Sequence, residues 1–345
     1  TAQLAANSHM KAIEWIAGTV KQHNINCNFK RVDGYLFLHS SDSKETLEKE
    51  YEATKRAGLI TEMLNTVPDI EAEDGKWCIK FSNQAQFHIL LYLKGLADAF
   101  IKLGGKIYTQ TKAENITKEG ATANGYVLKA NHIVVATNTP INDWVTMHTK
   151  QWPYRTYAIG AKVPKGKLPC ALWWDTGNHE SKWVSQPYHY VRLAEYDDQY
   201  DLLIAGGEDH RTGQADDENI KEEDRYTKLI EWTRKRFPSI EDISFQWSGQ
   251  VMEPIDSMAY IGKNPGDDNI YIITGDSGNG MTHGTLGGII ISDIITGKDN
   301  PWIKIYSPSR ITLKSTSDYL QEVGNMVVQY GDWFGSADIK NLEEL

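Results

Sequence analysis

The sequence predicts an α/β fold: a parallel core sheet joined to a separate, antiparallel α+β region. Three stretches carry that reading. In the first, Asn269–Thr274 is a short, apolar, β-branched run bounded by turn residues, as a buried strand is. Glycines 275, 278, 280 and 284 follow it, and Thr285–Thr296 then reads as an apolar helix that Gly297 stops. In the second, Ile133–Ala136 is another short apolar run followed by small and polar residues, so it belongs beside Ile270–Thr274 as a parallel core strand. In the third, Ala171–Trp174, Tyr188–Leu193 and Asp201–Gly207 are strands separated by polar turns, the pattern of an antiparallel sheet within 151–249.

Composition narrows the class. The chain has 345 residues and a formal net charge of −10, with many Trp and Tyr to build a core. The acidic balance, with no Lys/Arg stripe interleaved with aromatics, argues against a nucleic-acid partner. Cys27, Cys78 and Cys170 form no CxxC or Cys-x-His pair, which excludes a zinc or iron–sulfur motif and suits a reducing compartment. No apolar run approaches the length of a membrane span and no signal peptide opens the chain, so a soluble cytoplasmic protein with no membrane partner is expected.

In order, Thr1–His23 reads as a helix with Leu4, Ile13, Ile16 and Val20 on one side, and Ser8-His9-Met10 lies inside its pattern. Lys30–His39 is a strand, Ser43–Ala57 a charged helix ended by Gly58, Pro68–Gly75 an acidic turn and Trp77–Phe81 a short strand. Phe87–Leu103 is an amphipathic helix closed by Gly104-Gly105. Lys106–Thr109, the Asn-Gly hairpin in 122–129 and His132–Ala136 read as a small hairpin-like sheet. Thr156–Val163 and Ser244–Gly249 are further strands, Asp216–Phe237 a charged helix ended by Pro238, and Ser317–Val328 one more helix.

Trp247-Ser248-Gly249, Asp256, Tyr260-Ile261-Gly262 and 272–282, which reads IITGDSGNGMT, together resemble the C-terminal half of the FAD-dependent D-amino-acid oxidase superfamily. That group includes glycine and sarcosine oxidases. Val134–Thr137, Gly206–His210 and Asp299–Trp302 are similar to a branch often fused to a Rieske domain. The resemblance implies an FAD/NAD(P)-binding doubly wound sheet with an antiparallel α+β substrate domain. It places FAD-binding parts in 1–23, 86–150 and 250–300, substrate parts in 24–85 and 151–249, and a tail in 301–345. It implies FAD-dependent oxidation of a small-molecule amine or amino-acid-like substrate by hydride transfer to flavin. Two features of the family are missing from this sequence: the opening βαβ unit with its GxGxxG turn, and the Rieske Cys-x-His pairs. The resemblance therefore also implies weak FAD retention by the chain alone, with a separate N-terminal segment or self-association as partner. A non-catalytic remnant and one half of a split flavoenzyme are the alternatives to an enzyme.

For the cofactor, the resemblance selects Gly275, Asp276, Gly278, Asn279, Gly280, Met281 and Thr282. The loop's glycines allow positive φ and close backbone approach, and the helix N-terminus offers free N–H groups to the electron-rich edge of a flavin. His283 lies beside them as a capping or loop residue. For catalysis, His210 in Glu208-Asp209-His210 is the acid/base candidate, and Arg155 is the candidate partner of a substrate carboxylate, one of three arginines, with Arg192 and Arg211, in the expected substrate sheet that could stand in for a loop arginine. No arginine stands in the loop itself, where Gly278 occupies the position that holds one in glycine-oxidase-like members. Tyr154, Tyr188, His189 and Tyr190 read as aromatic packing, and no metal site is expected.

Overall fold

The computed structural model describes residues 1–70, 76–142, 147, 149–181, 187–213 and 220–310. Helix α1 (Ala2–Gln22) opens the chain and buries Ser8, Ala12 and Ile16. Strand β1 (Lys30–Phe37) is followed by α2 (Lys44–Arg56), whose first turn is capped by Ser43 accepting from the Thr46 amide. Strands β2 (Thr61–Thr66) and β3 (Lys76–Gln86) come next. The sequence reading contained no β2, because its burial is mixed and it carries no clean period-2 alternation.

Helix α3 (Ile89–Lys102) ends at Leu103, before Gly104 in positive φ. The expected strand at Lys106–Thr109 does not form. The partner of the Asn-Gly hairpin is instead β4 (Ala113–Thr117), paired with β5 (Gly120–Ala123), which pairs with β6 (Tyr126–Lys129). Asn124 and Gly125 both take positive φ, the geometry that matches a two-residue turn to the strand twist. Strand β7 (Ile133–Val135) leaves this small sheet and pairs in parallel with β14 (Ile270–Thr274), in the register Ile270↔Ile133 to Ile272↔Val135. The two apolar runs do lie side by side. Strand β13 (Tyr260–Lys263), not foreseen as a strand, pairs antiparallel on the other side of β14.

The large sheet has eight strands in the order β12-β8-β11-β10-β9-β1-β3-β2. It takes in β8 (Gln151–Pro164), β9 (Leu172–Asp175), β10 (Tyr190–Glu195), β11 (Tyr200–Arg211) and β12 (Ile243–Pro254). The pairings among these five are antiparallel, and β1 joins β9 in parallel. On one face Tyr157, Ile159, Ala161, Val163, Val191, Leu193, Leu203 and Ala205 pack with Leu229 and Phe237, from α4 (Glu222–Arg236) and just after it. The start expected for α4 at Asp216 lies outside the described residues, as does the Ser317–Val328 helix. Helix α5 (Gly280–Thr296) begins five residues earlier than the sequence suggests and ends at Gly297 in the left-handed conformation. It packs with α1 and α6 (Ile303–Tyr306) around Leu286, Ile290 and Tyr306. Among the described residues no helix is long and apolar enough to cross a membrane.

Leu203 is fully buried at the centre of the large core. Leu203→Ala is expected to lower unfolding stability by about 2–5 kcal/mol, whereas Leu90→Ala, at an exposed position of α3, should change it by less than about 0.5 kcal/mol. Urea denaturation of the two variants checks the difference.

Candidate functional site

The seven loop residues from Gly275 to Thr282 fall in one turn between β14 and α5. Gly275 and Gly278 take φ of 70° and 71°, and Ser277 between them takes 46°. That conformation is natural for glycine and costly for branched residues. The loop is fastened to the large sheet. The Ser277 amide donates to the Met252 carbonyl (3.1 Å), the Met252 amide to Asp276 Oδ1 (3.4 Å), and the Ser277 hydroxyl to Glu253 Oε2 (2.6 Å). Gly280 departs from expectation. It is the first helical residue and does not take positive φ, and a Cβ there would stand 3.0 Å from Asp276 Oδ2. Its small size clears the Asp276 carboxylate; left-handed backbone is needed at Gly275 and Gly278.

Asn279 occupies the N-cap position, but no side chain caps the helix: its amide group donates to Ser277 O (2.9 Å) and its backbone N–H to Asp276 O (2.8 Å). The N–H groups of Gly280, Met281 and Thr282 therefore have no acceptor within the helix. Helix α5 aims the positive end of its dipole through them. Behind this turn, His283 is buried and its Nδ1 lies 2.9 Å from the Asp276 carbonyl, to which it donates. Burial holds His283 below the ordinary imidazole range. His9 packs edge-on against it, 5.2 Å between ring centroids, and burial with the neighbouring His283 lowers its pKa to about 4. Two neutral rings thus back a helix end that already carries positive potential. Ser8, whose hydroxyl bonds Tyr306 (2.7 Å), anchors the same stretch of α1.

Gly278 and Asn279 open onto a cleft of about 860 Å³. Its other walls are α1, through His9, Met10 and Ile13, and the sheet face opposite α4, through Leu36, Trp174, Tyr188, Tyr190, Arg192 and Ile204. A Cβ on Gly278 would approach the Tyr188 hydroxyl to 3.2 Å, so that phenol stands directly over the loop. A Cβ on Gly206 would lie 2.2 Å from the Tyr190 ring, so a glycine is what lets that ring cross β11. Burial raises the pKa of both phenols.

The structure sets His210 and Arg155 away from this cleft. They are register partners on β11 and β8. His210 stacks on Tyr157 (5.8 Å), which abuts Tyr226 of α4, and Arg155 donates to Ser248 (3.0 Å). Both lie on the α4 face of the sheet. For His210 the cause is a bulge between Gly207 and His210, with Glu208 at φ 58°, which shifts the alternation of β11 side chains by one; Arg155 shares the face of Tyr157 by the regular alternation of β8. Of the three arginines, Arg192 lines the cleft, with its guanidinium donating to the Phe87 carbonyl (3.3 Å).

Sequence reasoning missed the buried charges around the bulge. His189 Nδ1 lies 2.9 Å from Asp175 Oδ2, its Nε2 lies 3.2 Å from Glu208 Oε1, and its ring stacks on Trp232 at 4.2 Å. Burial alone would lower its pKa, but the carboxylates of Asp175 and Glu208 win and raise it to about 9. His39, Asp175 and His189 offer ligand atoms close enough for a metal ion, but both His189 nitrogens are engaged by carboxylates, which a metal would have to displace. Asp209, beside the bulge, has its pKa pushed up to about 7 by burial and by Glu253 and Glu208, against the hydroxyl of Thr156 and the charge of His189. Its Oδ1 is buried without a hydrogen-bond partner. Acidic residues next to a Gly-Gly pair in a strand were the available signal.

Comparison with known proteins follows the same lines. The model of the FAD dependent oxidoreductase (DAO) family matches residues 2–294. A putative Rieske 2Fe-2S iron–sulfur protein, YhfW, from Bacillus subtilis is 28% identical over 90% of this chain, which spans 59% of that protein. The gamma-glutamylputrescine oxidoreductase of Escherichia coli is 26% identical over 86% of this chain and 69% of its own length. Among solved structures, glycine oxidase from Geobacillus kaustophilus has a TM-score of 0.72 at 15% identity, covering 90% of this chain and 83% of that one. L-proline dehydrogenase from P. horikoshii has a TM-score of 0.68 at 18% identity, covering 93% and 84%. These structural likenesses show the fold.

His189 supplies a pH test. Its folded pKa lies above the unfolded value, so its stabilisation is fully present below about pH 6.5 and is lost as pH rises through about 9. The urea midpoint of the parent should fall between pH 6.5 and 9.5, and His189→Gln should show a smaller fall. Equal falls in both proteins would remove His189 from the account.

Proposed function

Because the chain belongs to the FAD dependent oxidoreductase (DAO) family, we propose that it carries out FAD-dependent oxidation of a small amine, with the substrate held in the cleft between the glycine loop and the large sheet. The observation that carries this reading is the uncapped N-terminus of α5 opening on that cleft. FAD is the family's cofactor, and the residues here fit its isoalloxazine end. Gly275 and Gly278 let the backbone approach a flat ring, and the N–H groups of Gly280, Met281 and Thr282 suit its electron-rich edge. When bound, FAD accepts the hydride that leaves the substrate's C–N carbon.

The chain's own residues supply position and exclusion of water. Tyr188 and Tyr190 form the wall facing the loop, and Leu36, Trp174 and Ile204 give the cleft an apolar lining. On this reading the large sheet is the substrate-side unit, and β7, β13 and β14 with α1 and α5 are the cofactor-side unit. The Escherichia coli relative is by name a gamma-glutamylputrescine oxidoreductase, which supports an amine as the bond broken. A second reading, an amino-acid-like substrate, is favoured by Arg192, which reaches the cleft and suits a carboxylate.

The test is anaerobic mixing of the FAD-loaded, full-length protein with primary amines, secondary amines and amino acids. Bleaching of the flavin band by an amine is expected, and no bleaching by any of the three classes would overturn the proposal. Gly278→Val should lower flavin content much more than Gly284→Val, because a Cβ at Gly284 meets nothing within 4 Å and its backbone is helical. Arg192→Ala should raise KM about tenfold or more for a carboxylate-bearing substrate and leave a simple amine unaffected.

A further inference from the structure

We propose that Asp209 and Glu253, beside the glycine-loop end of the cleft, form the subsite for the positively charged nitrogen of the substrate, and that His189 is the positioning residue that keeps Asp209 there. The inference rests on the amine reading above and specifies its substrate class: an alkylammonium cation.

The two carboxylates come from different strands of the large sheet. Glu253 is fixed to the loop by the Ser277 hydroxyl at 2.6 Å. Each carboxylate is held above the ordinary range chiefly by burial, and Asp209 also by the charge of Glu253. Both charges act on the phenol of Tyr188, which ties them to the residue that stands over Gly278. Among the described residues, no lysine or arginine forms a salt bridge with either carboxylate. Asp209 Oδ1 is a buried acceptor with nothing to accept from. A buried carboxylate oxygen in that state is unfavourable, and an ammonium donor from a ligand relieves it.

The bulge decides where Asp209 points. Glu208 at φ 58° turns toward His189, 3.2 Å away, and His189 in turn holds Asp175 at 2.9 Å. With Glu208 drawn to that side, Asp209 is left with Thr156, Tyr188, Tyr190 and Glu253. Without the His189 cation, the Glu208 carboxylate would lose its charged partner beside the Asp209 carboxylate, and the strained bulge would have less to hold it.

Binding to the chain itself can be measured without the cofactor. The probes are 1,4-diaminobutane, the neutral 1,4-butanediol and the anion glutarate, each read as a shift in Tm. The diamine should raise Tm at pH 8, and the diol and glutarate should not. The diamine shift should shrink at least threefold in Asp209→Asn and in Glu253→Gln. In the parent it should fade as pH drops from 8 to 5.5, because Asp209 protonates near 7; the groups facing it are Glu253, Glu208, His189, Tyr188 and Tyr190. His189→Gln should weaken the shift and move its pH midpoint while the far-UV spectrum is retained. An unchanged diamine shift in folded Asp209→Asn, an equal shift from the diol, or a shift in the parent that is independent of pH would each overturn the subsite. If Asp209→Asn fails to fold, the parent pH series decides. The amine reading fails separately: a subsite that binds the diamine in an Asp209-dependent way, in a FAD-loaded protein that oxidises no amine, would sink that reading and leave the subsite standing.

Discussion

The structure depends on a short seam of hydrogen bonds between two sheets. Met252 of β12 gives its carbonyl to the Ser277 amide and its amide to Asp276, while Glu253 takes the Ser277 hydroxyl. At the start of β8 and the end of β14, the side chains of Gln151 and Thr274 bond across the same boundary at 2.8 Å. These contacts fix the glycine loop to the edge of the large sheet, so a helix N-terminus that belongs to one sheet opens on a cleft walled by the other. Without them the free N–H groups at Gly280–Thr282 would still exist, but the loop would lose its hydrogen bonds to β12, beside the Tyr188 phenol. The seam is what joins a common loop–helix geometry to a cleft walled by the large sheet.

Charge is the second organising theme, and it is divided by the large sheet. The α4 face holds an apolar core crossed by the Asp175–His189–Glu208 array, which is net acidic when each group is ionised and is braced by the stack on Trp232. The opposite face holds aromatic walls and carboxylates with raised pKa. Buried ions of this kind contribute little net stability, since desolvation offsets most of their attraction. Their retention is better explained by what they orient. The N-terminal side of α5 shows the complementary choice: His9 and His283 are held neutral, so they add no positive charge to a helix end that already has it.

Much of the fold was legible in the sequence because local patterns were strong. The capped helix α2, the Asn-Gly hairpin, the β14–loop–α5 unit and the parallel neighbours Ile133 and Ile270 each have a signature within a few residues. Local pattern failed where stability came from partners far along the chain. Strand β2 exists because β3 pairs with it, and β4, rather than Lys106–Thr109, completes the hairpin sheet. The early start of α5 follows from the Asp276 carbonyl taking the Asn279 amide, which a glycine-rich stretch does not announce.

The sequence by itself determined the family and marked the glycine loop between β14 and α5, since a β-branched run followed by closely spaced glycines is written in consecutive residues. Only the tertiary structure decided which side chains share that loop's cleft. A bulge at Gly207–His210 shifts the period-2 pattern of β11 by one residue, and that shift sends His210 to the α4 face, opposite Arg155, while Asp209 turns toward Thr156 and Tyr188. No local propensity encodes the face of a residue beyond a bulge. It is set by the pairing of β11 with β8 and by a buried His189 contributed from the segment before β10.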